Sequence, residues 1–229
     1  AGERRQVAVL FADLAGYTRL SRALDAEELH AIMEHFFEAV DRVVVSYGGR
    51  VDKHIGDAVM AVFGAPVAHG DDPLRAARAA IEIHDTVAAV GREIGRPLGV
   101  HVGVASGEVV AAGLGSDRHS EYTVIGDAVN LAARLVDMAE NGATLISDPV
   151  RRAAGPRLEV AALGEVVLRG LDAPVRVWRL EGLGADTPAT TPFVGRLAER
   201  SQIAGMLQAC QSARRGKALL LRGEAGIGK

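Results

Sequence analysis

Two kinds of apolar spacing alternate along residues 1–181, one typical of strands and the other typical of helices. Short apolar runs predict strands at 6–13, 50–55, 58–63 and 98–104, and a run at 108–114 is expected to pair back with the last of these. Apolar residues three and four positions apart predict a long helix over 25–47 that stops at Gly48-Gly49. Asp71-Asp72-Pro73 predicts the start of a second helix, which runs to about Gly95.

These elements follow the order strand, helix, strand, strand, helix, strand, which is the order of a ferredoxin-like fold. Residues 122–125 then lead into a helix from Asp127 to about Glu140, and three further strands are expected at 143–147, 165–169 and 175–180. The sequence therefore predicts an α+β domain with a ferredoxin-like βαββαβ core and an additional C-terminal helix and strands.

The composition changes after residue 181. Residues 182–192 (GLGADTPATTP) are small and polar and include proline, which is typical of a linker. Residues 193–229 predict a helix, a strand at 218–222 and a glycine-rich end, GEAGIGK. We therefore expect one domain over 1–181, a linker over 182–192 and the start of a second domain over 193–229.

The overall composition excludes several classes of function. Net charge is −3 with a pI near 6.2, so no basic surface is expected for nucleic acid or an anionic membrane. The single cysteine, Cys210, cannot form an internal disulfide, and the seven histidines lack the spacing of a zinc site. No apolar run is long enough to span a bilayer. These features predict a soluble cytoplasmic protein and leave the chemistry open.

Two acidic residues stand where predicted strands end. Asp13 closes the first strand in FADLAGYT, before a turn of small residues, and Asp57 lies at the tip of the hairpin in KHIGDAVMAVF. Either residue alone fits an ordinary turn, since turns and hairpins favour aspartate. In a ferredoxin-like sheet, however, the first strand lies beside the hairpin, so the two carboxylates are expected to converge. Such a pair suits Mg²⁺ or Mn²⁺, which in turn binds a nucleoside triphosphate.

Three more polar residues are candidates for function. Lys53 precedes Asp57 by four positions on a mostly apolar strand, where a lysine can also simply extend into solvent. Asn130 and Arg134 are four residues apart on the helix that begins at Asp127, so they share one face. An exposed pair of this kind is usually a solvated surface, so none of the three indicates function by itself.

Together, FADLAGYT, KHIGDAVMAVF and EYTVIGDAVNLAARL resemble class III nucleotidyl cyclases in their order and spacing, and the resemblance extends from Arg5 to Leu180. It implies conversion of ATP to 3′,5′-cyclic AMP and pyrophosphate, with two Mg²⁺ or Mn²⁺ ions in each active site. It also implies a homodimer packed head to tail. In each site of such a dimer the metal-binding acids come from one protomer, and the base, ribose and α-phosphate ligands come from the other.

The resemblance assigns a role to each candidate residue. Asp13 and Asp57 bind the metal ions with help from the Leu14 carbonyl, and the loop that follows holds the phosphates through the backbone of Ala15, Gly16, Tyr17 and Thr18. Lys53 binds an adenine ring nitrogen and Thr123 helps to recognise the exocyclic amine. Asn130 orients the ribose and Arg134 neutralises charge on the α-phosphate. Arg169, in the stretch LRGL, holds the terminal phosphates.

The choice of base is expected to depend on Lys53. Guanylyl cyclases of the family usually carry an acid at this position, whereas a cationic donor suits the ring nitrogens of adenine. Thr123 replaces the aspartate of the membrane-bound animal enzymes and is similar to the subgroup that contains soluble, bicarbonate-responsive cyclases. Bicarbonate is therefore a candidate activator.

The last seven residues, 223–229, match the phosphate-binding pattern G-x-x-x-x-G-K, and with FVGRLAER upstream they resemble the beginning of an AAA-like P-loop ATPase. The Ser/Thr that follows the lysine in this pattern is not in the chain, so we expect this segment not to bind nucleotide usefully and to belong to a longer cyclase–ATPase protein.

Two alternatives remain open from the sequence. The domain could be a catalytically silent, cyclase-like dimeric sensor, or a regulatory domain of a P-loop ATPase. A diguanylate cyclase or a polymerase palm shares the general sheet and the metal-binding acids, but this chain contains no GGDEF-like segment.

Overall fold

The computed structural model describes residues 3–116, 119–169, 173–185, 197–213, 215–216 and 218–219. The chain divides into two compact units, Ala1–Thr187 and Pro188–Lys229, and each is described by itself. In the first unit the described residues form, in chain order, β1 (Glu3–Leu14), α1 (Tyr17–Ala23), α2 (Ala26–Ser46), β2 (Arg50–Ile55), β3 (Ala58–Phe63), α3 (Asp72–Glu93), β4 (Val100–Ser116), β5 (His119–Ile125), α4 (Asp127–Met138), β6 (Thr144–Ser147), α5 (Asp148–Ala154), β7 (Leu158–Val166) and β8 (Val175–Leu183). In the second unit they form α6 (Leu197–Ala213).

The strands of the first unit form one mixed sheet in the order β2-β3-β1-β4-β6-β8-β7, with β5 paired to β4. The β4–β6 pair is parallel, and the other pairs are antiparallel. The segment β2-β3-β1-β4 is the ferredoxin-like core that the order of elements predicts, and the α+β fold class is confirmed. This topology places the hairpin of β2 and β3 directly beside β1.

Helices cover both faces of this sheet, and β1 contributes alternate residues to the two sides. Its residues Ala8, Leu10 and Ala12 pack with the buried side chains of α2, α3 and α5. Val7, Val9 and Phe11 point the opposite way and join the buried side chains of α4. We call the second side the α4 face. From Val7 to Ala12 β1 is buried on both sides, and this part of its sequence is continuously apolar, as expected for a central strand.

The two long predicted helices are present with the predicted starts. Asp25 is the N-cap of α2 and its side chain accepts a hydrogen bond of 2.8 Å from the Glu28 N–H. α3 begins at Asp72, with Pro73 in its first turn. The cap and proline signals therefore located both helix starts to within a residue.

The predicted hairpin between 98–104 and 108–114 is wrong. β4 continues through Gly107 as a single strand, and the strand that pairs back with it is β5. The reason is β1, which runs alongside without a break and pairs Val7 with Gly107 and Ala8 with Ser106. The Ser106 hydroxyl also donates to the Val7 carbonyl at 2.9 Å, so the polar residue is satisfied within the sheet and does not start a turn.

The end of the first unit also differs from the sequence prediction. β7 covers 158–166 rather than 165–169, and most of its residues are partly or fully exposed, so its apolar pattern is weak. The short helices α1 and α5 were not predicted. β8 extends to Leu183, which pairs with Leu158, so the first two residues of the predicted linker belong to a strand.

Most of the predicted tail lies outside the described residues. The parts that the structure does not describe include 186–192 of the linker, 220–222 of the predicted strand and all of GEAGIGK. Ala218 and Leu219 are described and are not part of a strand. Among the described helices of both units, none has the length and apolar character needed to cross a membrane.

Candidate active site

The end of β1 and the tip of the β2–β3 hairpin meet, and they bring Asp13 and Asp57 together. Asp13 pairs in register with Ala58 of β3, and the Leu14 N–H donates to the Asp57 carbonyl at 3.2 Å. The tight turn is made possible by Gly56, whose φ of 63° lies in the left-handed region. The two carboxyl groups are close enough for the charge of Asp57 to raise the pKa of the Asp13 carboxyl. The structure thus places the two acids side by side, as the ferredoxin-like topology predicts.

The pKa of Asp13 is strongly perturbed. The pKa of its carboxyl is raised from 3.8 to about 7, first by burial and then by the nearby charge of Asp57. The charge of Asp137 on α4 raises the pKa of Asp13 by a smaller amount, while the nearby Leu14 N–H lowers it. Two carboxylates held this closely cannot both ionise easily without a cation.

One buried oxygen of Asp13, Oδ1, has no hydrogen-bond partner. Such an atom is costly unless a ligand satisfies it. Among the described residues, no three His, Cys, Asp or Glu side chains are grouped to hold a metal ion. Mg²⁺, however, commonly binds through one or two carboxylates and takes its other ligands from substrate phosphates and water. Asp13, Asp57 and the nearby Leu14 carbonyl therefore fit a magnesium- or manganese-type site.

The loop after β1 is held by two of its own amides. The Leu14 N–H is bonded to Asp57, and the Ala15 N–H donates to the Gly99 carbonyl at 2.9 Å. Gly16, with a left-handed φ of 75°, then turns the chain into α1, whose first residues are Tyr17 and Thr18. The first N–H groups of a helix lack an acceptor within the helix. The N–H groups of Leu14 and Ala15 therefore fix the loop. Those of residues 16–18 are the part of the predicted phosphate loop that remains in position for a ligand.

Lys53 lies on β2, opposite Met60 of β3. Met60 is itself opposite Phe11 of β1, so Lys53 projects from the same α4 face as Asp13, two strands away. Two strand spacings correspond to about 10 Å. The lysine side chain is 35% exposed and its Nζ lies 3.5 Å from Oδ2 of Asp52.

α4 lies across β4 because two glycines of β4 allow a close approach. A Cβ at Gly103 would lie 2.4 Å from the Ala132 carbonyl oxygen and 2.5 Å from the Val136 amide nitrogen. A Cβ at Gly107 would meet the Ala128 Cβ at the milder distance of 3.3 Å. These contacts set how closely the helix sits on the sheet, and thereby the positions of the polar residues on its outer side.

Asn130 and Arg134 are both exposed on that outer side. The Arg134 guanidinium is 46% exposed and donates through Nη1 to Oδ2 of Asp137 at 3.0 Å. An ion pair this exposed contributes little stability, about 0–1 kcal/mol. The arginine is therefore available to exchange this partner for another anion.

The remaining two predicted residues are less informative. Thr123 lies in β5 opposite Ala112 of β4, and its side chain is outside the part of the molecule that the structure describes. Arg169 lies in a turn after β7 and is exposed, while its neighbour Leu168 is buried under α4. Their assigned roles remain predictions.

Three residues near these groups were not singled out from the sequence. Asp52 is a buried acid beside Lys53, and Asp137 is the partner of Arg134. His101 lies opposite Asp13 in the β1–β4 ladder, and its Nδ1 is buried without a hydrogen-bond partner. The spacing of three between Arg134 and Asp137 on a helix was a usable signal. The other two positions depend on strand register, which the sequence alone does not fix.

Comparison with known proteins identifies the family. The family model for the adenylate and guanylate cyclase catalytic domain matches residues 1–182. An uncharacterised protein of Mycobacterium tuberculosis is 38% identical over 182 residues, which cover 77% of this chain and 31% of the relative. The chain thus spans about a third of the length of the curated relatives it matches.

Solved structures agree on the fold. The adenylyl cyclase CyaB from Pseudomonas aeruginosa superimposes with a TM-score of 0.75 at 29% identity, covering 79% of this chain and 96% of that one. The guanylyl cyclase Cya2 superimposes with a TM-score of 0.76 at 32% identity, covering 81% of this chain and 96% of that one. One structure is named for each base, so these similarities leave the substrate open. Together with the family model and the sequence relatives, they establish that the chain belongs to the adenylate and guanylate cyclase catalytic domain family.

Proposed function

We propose that this domain is an adenylyl cyclase, which converts ATP to 3′,5′-cyclic AMP and pyrophosphate at sites shared between two copies of the chain. In this reaction the ribose 3′-oxygen forms a bond to the α-phosphorus while the bond from that phosphorus to the β-phosphate oxygen breaks. The 3′-hydroxyl gives its proton to solvent water, and pyrophosphate leaves with the electron pair.

The observation that carries the proposal is the Asp13–Asp57 pair. A half-buried carboxylate with an unsatisfied oxygen, next to a second carboxylate, is stabilised when a cation binds to it. Asp13, Asp57 and the Leu14 carbonyl would hold two Mg²⁺ or Mn²⁺ ions. When bound, these ions supply positive charge to the triphosphate and lower the pKa of the attacking hydroxyl.

The other residues position the substrate and neutralise its charge. The backbone at 16–18 would bind phosphate oxygens, and Arg169 would hold the terminal phosphates. Asn130 would orient the ribose, and Arg134 would leave Asp137 to meet the charge that develops on the α-phosphate. Phosphoryl transfer depends on positioning and electrostatic stabilisation, so the site requires no covalent nucleophile.

Lys53 supports adenine as the base. Its ammonium has three donors and no acceptor, and it suits a ring nitrogen that accepts a hydrogen bond. Guanine presents donors at the corresponding positions, where an acid would be the better partner. Thr123 would add a contact to the exocyclic amine.

The exposure of α4 supports sharing of the sites. Asn130 and Arg134 point outward from their own protomer, whereas Asp13 is half-buried at the edge of its sheet. A second copy packed head to tail would bring the outer side of its α4 to the Asp13–Asp57 pair. Each dimer would then contain two equivalent sites, as a two-fold axis requires.

A direct assay tests the proposal. The protein is incubated with Mn²⁺ and either ATP or GTP at several protein concentrations, with the Asp13→Ala variant as control. We expect cyclic AMP from the wild type only, at a rate per subunit that rises with protein concentration. Cyclic GMP as the main product would show that adenine is not the preferred base. No product from either nucleotide would favour the alternative of a catalytically silent sensor domain.

Regulation by bicarbonate is a separate part of the proposal and is supported only by the Thr123 resemblance. We expect tens of millimolar bicarbonate to raise the rate of cyclic AMP formation at constant pH. An unchanged rate, with chloride at equal ionic strength as control, would rule bicarbonate out as the activator.

A further inference from the structure

Asp52 lies on β2 with its carboxylate buried, although the residue as a whole is partly exposed. Its side chain is 0% exposed, although among the described strands β2 pairs with β3 alone. The carboxylate divides its two oxygens between two cations: Oδ1 accepts from Nη2 of Arg50 at 2.6 Å, and Oδ2 lies 3.5 Å from Nζ of Lys53. A buried charge is expensive and is tolerated only with such partners. A neutral residue would fill the same space at lower cost, so the charge itself calls for an explanation.

The same residue lies at an irregularity in the strand. Val51 pairs with Ala61 and Lys53 pairs with Met60, so Asp52 is the additional residue of a β-bulge. Bulges re-aim side chains, because an insertion of one residue moves all that follow to the other face of the sheet.

The bulge decides which way Lys53 points. In a regular ladder Lys53 would be opposite Val59, whose side chain is buried among those of α2 and α3. With the bulge it is opposite Met60, on the α4 face that also carries Asp13. Arg50, opposite Val62, projects from that face as well, so the two cations lie on either side of the bulged acid.

We infer that Asp52 is a positioning residue that holds Lys53 on the nucleotide-binding face and thereby sets the preference for adenine over guanine. This inference rests on the proposed adenylyl cyclase function. The carboxylate acts through the lysine. It compensates the positive charge of the partly buried Lys53 ammonium and limits that ammonium to few positions. It also stabilises the bulge that directs Lys53 to the α4 face. Pre-ordering the lysine side chain in this way reduces the entropy lost when the nucleotide binds.

A double-mutant cycle in cyclic AMP formation separates this role from a general effect on folding. The four proteins are the wild type, Asp52→Asn, Lys53→Met and the double variant, each assayed with ATP and with GTP. We expect Asp52→Asn to lower kcat/KM for ATP about tenfold, mainly through KM, and to leave the GTP value unchanged within about twofold. In the Lys53→Met background the same substitution should change kcat/KM for ATP by less than about twofold. An equal loss in both backgrounds would overturn the inference.

Asp41→Asn is the matched control. Asp41 pairs with His54, the next residue after Lys53 on the same strand, at 3.1 Å. Its loss removes a hydrogen bond from β2 without touching the lysine, so the ratio of ATP to GTP activity should stay within about twofold of the wild type.

A second measurement does not need activity. The chain contains three lysines, Lys53, Lys217 and Lys229, so limited acetylation followed by mass spectrometry reports on Lys53 against two internal references. We expect Asp52→Asn to raise the acetylation rate of Lys53 relative to Lys217 several-fold, and Asp41→Asn to leave it unchanged. An unchanged ratio in folded Asp52→Asn would overturn the inference even if the protein proved to make no cyclic AMP. Conversely, a raised ratio in an inactive protein would reject the proposed function alone.

Asp52→Asn leaves Arg50 with less compensation, so its folding must be checked by thermal melting. If it melts below the assay temperature, Asp52→Glu is the second variant, because it keeps the charge but displaces it by one methylene. We expect a several-fold higher KM for ATP with an unchanged value for GTP. An unchanged KM for ATP in this variant would overturn the inference.

Discussion

Replacing Asp13 by asparagine should make the metal-free protein more stable at high pH while it abolishes activity. The pKa of Asp13 is raised from 3.8 to about 7, chiefly by burial and then by Asp57. Between these two values the folded chain keeps a proton that the unfolded chain has lost. The free energy of unfolding therefore falls as the pH rises through this window, and the loss is complete above pH 7. Asparagine keeps the shape of the side chain and carries no charge to desolvate.

The size of the effect follows from the shift. The difference between 3.8 and about 7 is roughly three pKa units, and each is worth about 1.4 kcal/mol. The wild type therefore loses up to about 4 kcal/mol relative to a neutral residue above pH 7, of which about 2–3 kcal/mol is lost between pH 5 and pH 8. Partial exposure of the site makes these values upper limits.

The assay is urea unfolding at pH 5, 6.5 and 8, in EDTA and at one protein concentration. We expect the stability difference between Asp13→Asn and the wild type to grow from pH 5 to pH 8, by at most about 2–3 kcal/mol. Asp57→Asn, which relieves only the secondary causes, should show a smaller growth, and the exposed Asp137→Asn the smallest. Adding Mg²⁺ at pH 8 should stabilise the wild type but not Asp13→Asn.

Parallel pH dependences for the wild type and Asp13→Asn would refute this reasoning. They would mean that Asp13 titrates alike in the folded and unfolded chains, so that the site does not store the electrostatic strain that a cation would relieve. A magnesium effect of equal size in both proteins would refute the assignment of Asp13 as a ligand.

Other changes test the remaining parts of the site. Arg134→Ala should lower kcat for cyclic AMP formation on the order of 10³-fold with little change in KM, because the arginine acts on charge that develops in the transition state; a rise in KM alone would contradict this role. Lys53→Glu should lower kcat/KM for ATP about 10–100-fold and narrow the preference over GTP, and an unchanged ratio of ATP to GTP rates would remove the lysine from base recognition. Gly103→Ala, which places a Cβ 2.4 Å from the Ala132 carbonyl oxygen, should lower stability by about 1–3 kcal/mol in urea unfolding. Gly107→Ala is its milder control, and equal losses from the two would show that α4 adjusts freely.

The sequence predicts the core of the fold because the features that mark its helices and strands are short local motifs or regular apolar patterns along the chain. Asp25 and Pro73 mark helix starts by caps and fixed dihedral angles, and β1 is apolar from Val7 to Ala12 because both of its faces are buried there. The β2–β3 hairpin is likewise bounded by Gly56, whose conformation the turn requires.

The parts that the sequence did not predict depend on long-range pairing. Ser106-Gly107 looks like a turn, yet it stays extended because β1 lies against it. β7 lacks apolar alternation because most of its side chains are exposed. The same holds for the site: Asp13 and Asp57 could be expected to meet from topology, whereas Asp52 became visible only with the register of β2 and its bulge.

The sharing of active sites is tested most directly by mixing two inactive variants. Asp57→Ala removes a metal-binding acid and Arg134→Ala removes the α-phosphate ligand, and each should be nearly inactive as a homodimer. In a head-to-tail heterodimer both defects fall in one site and the other site is intact. An equimolar mixture should therefore recover about a quarter of the wild-type rate of cyclic AMP formation, since half of the dimers are mixed and each has one working site. No recovery, despite subunit exchange shown by differently tagged copies, would contradict the account.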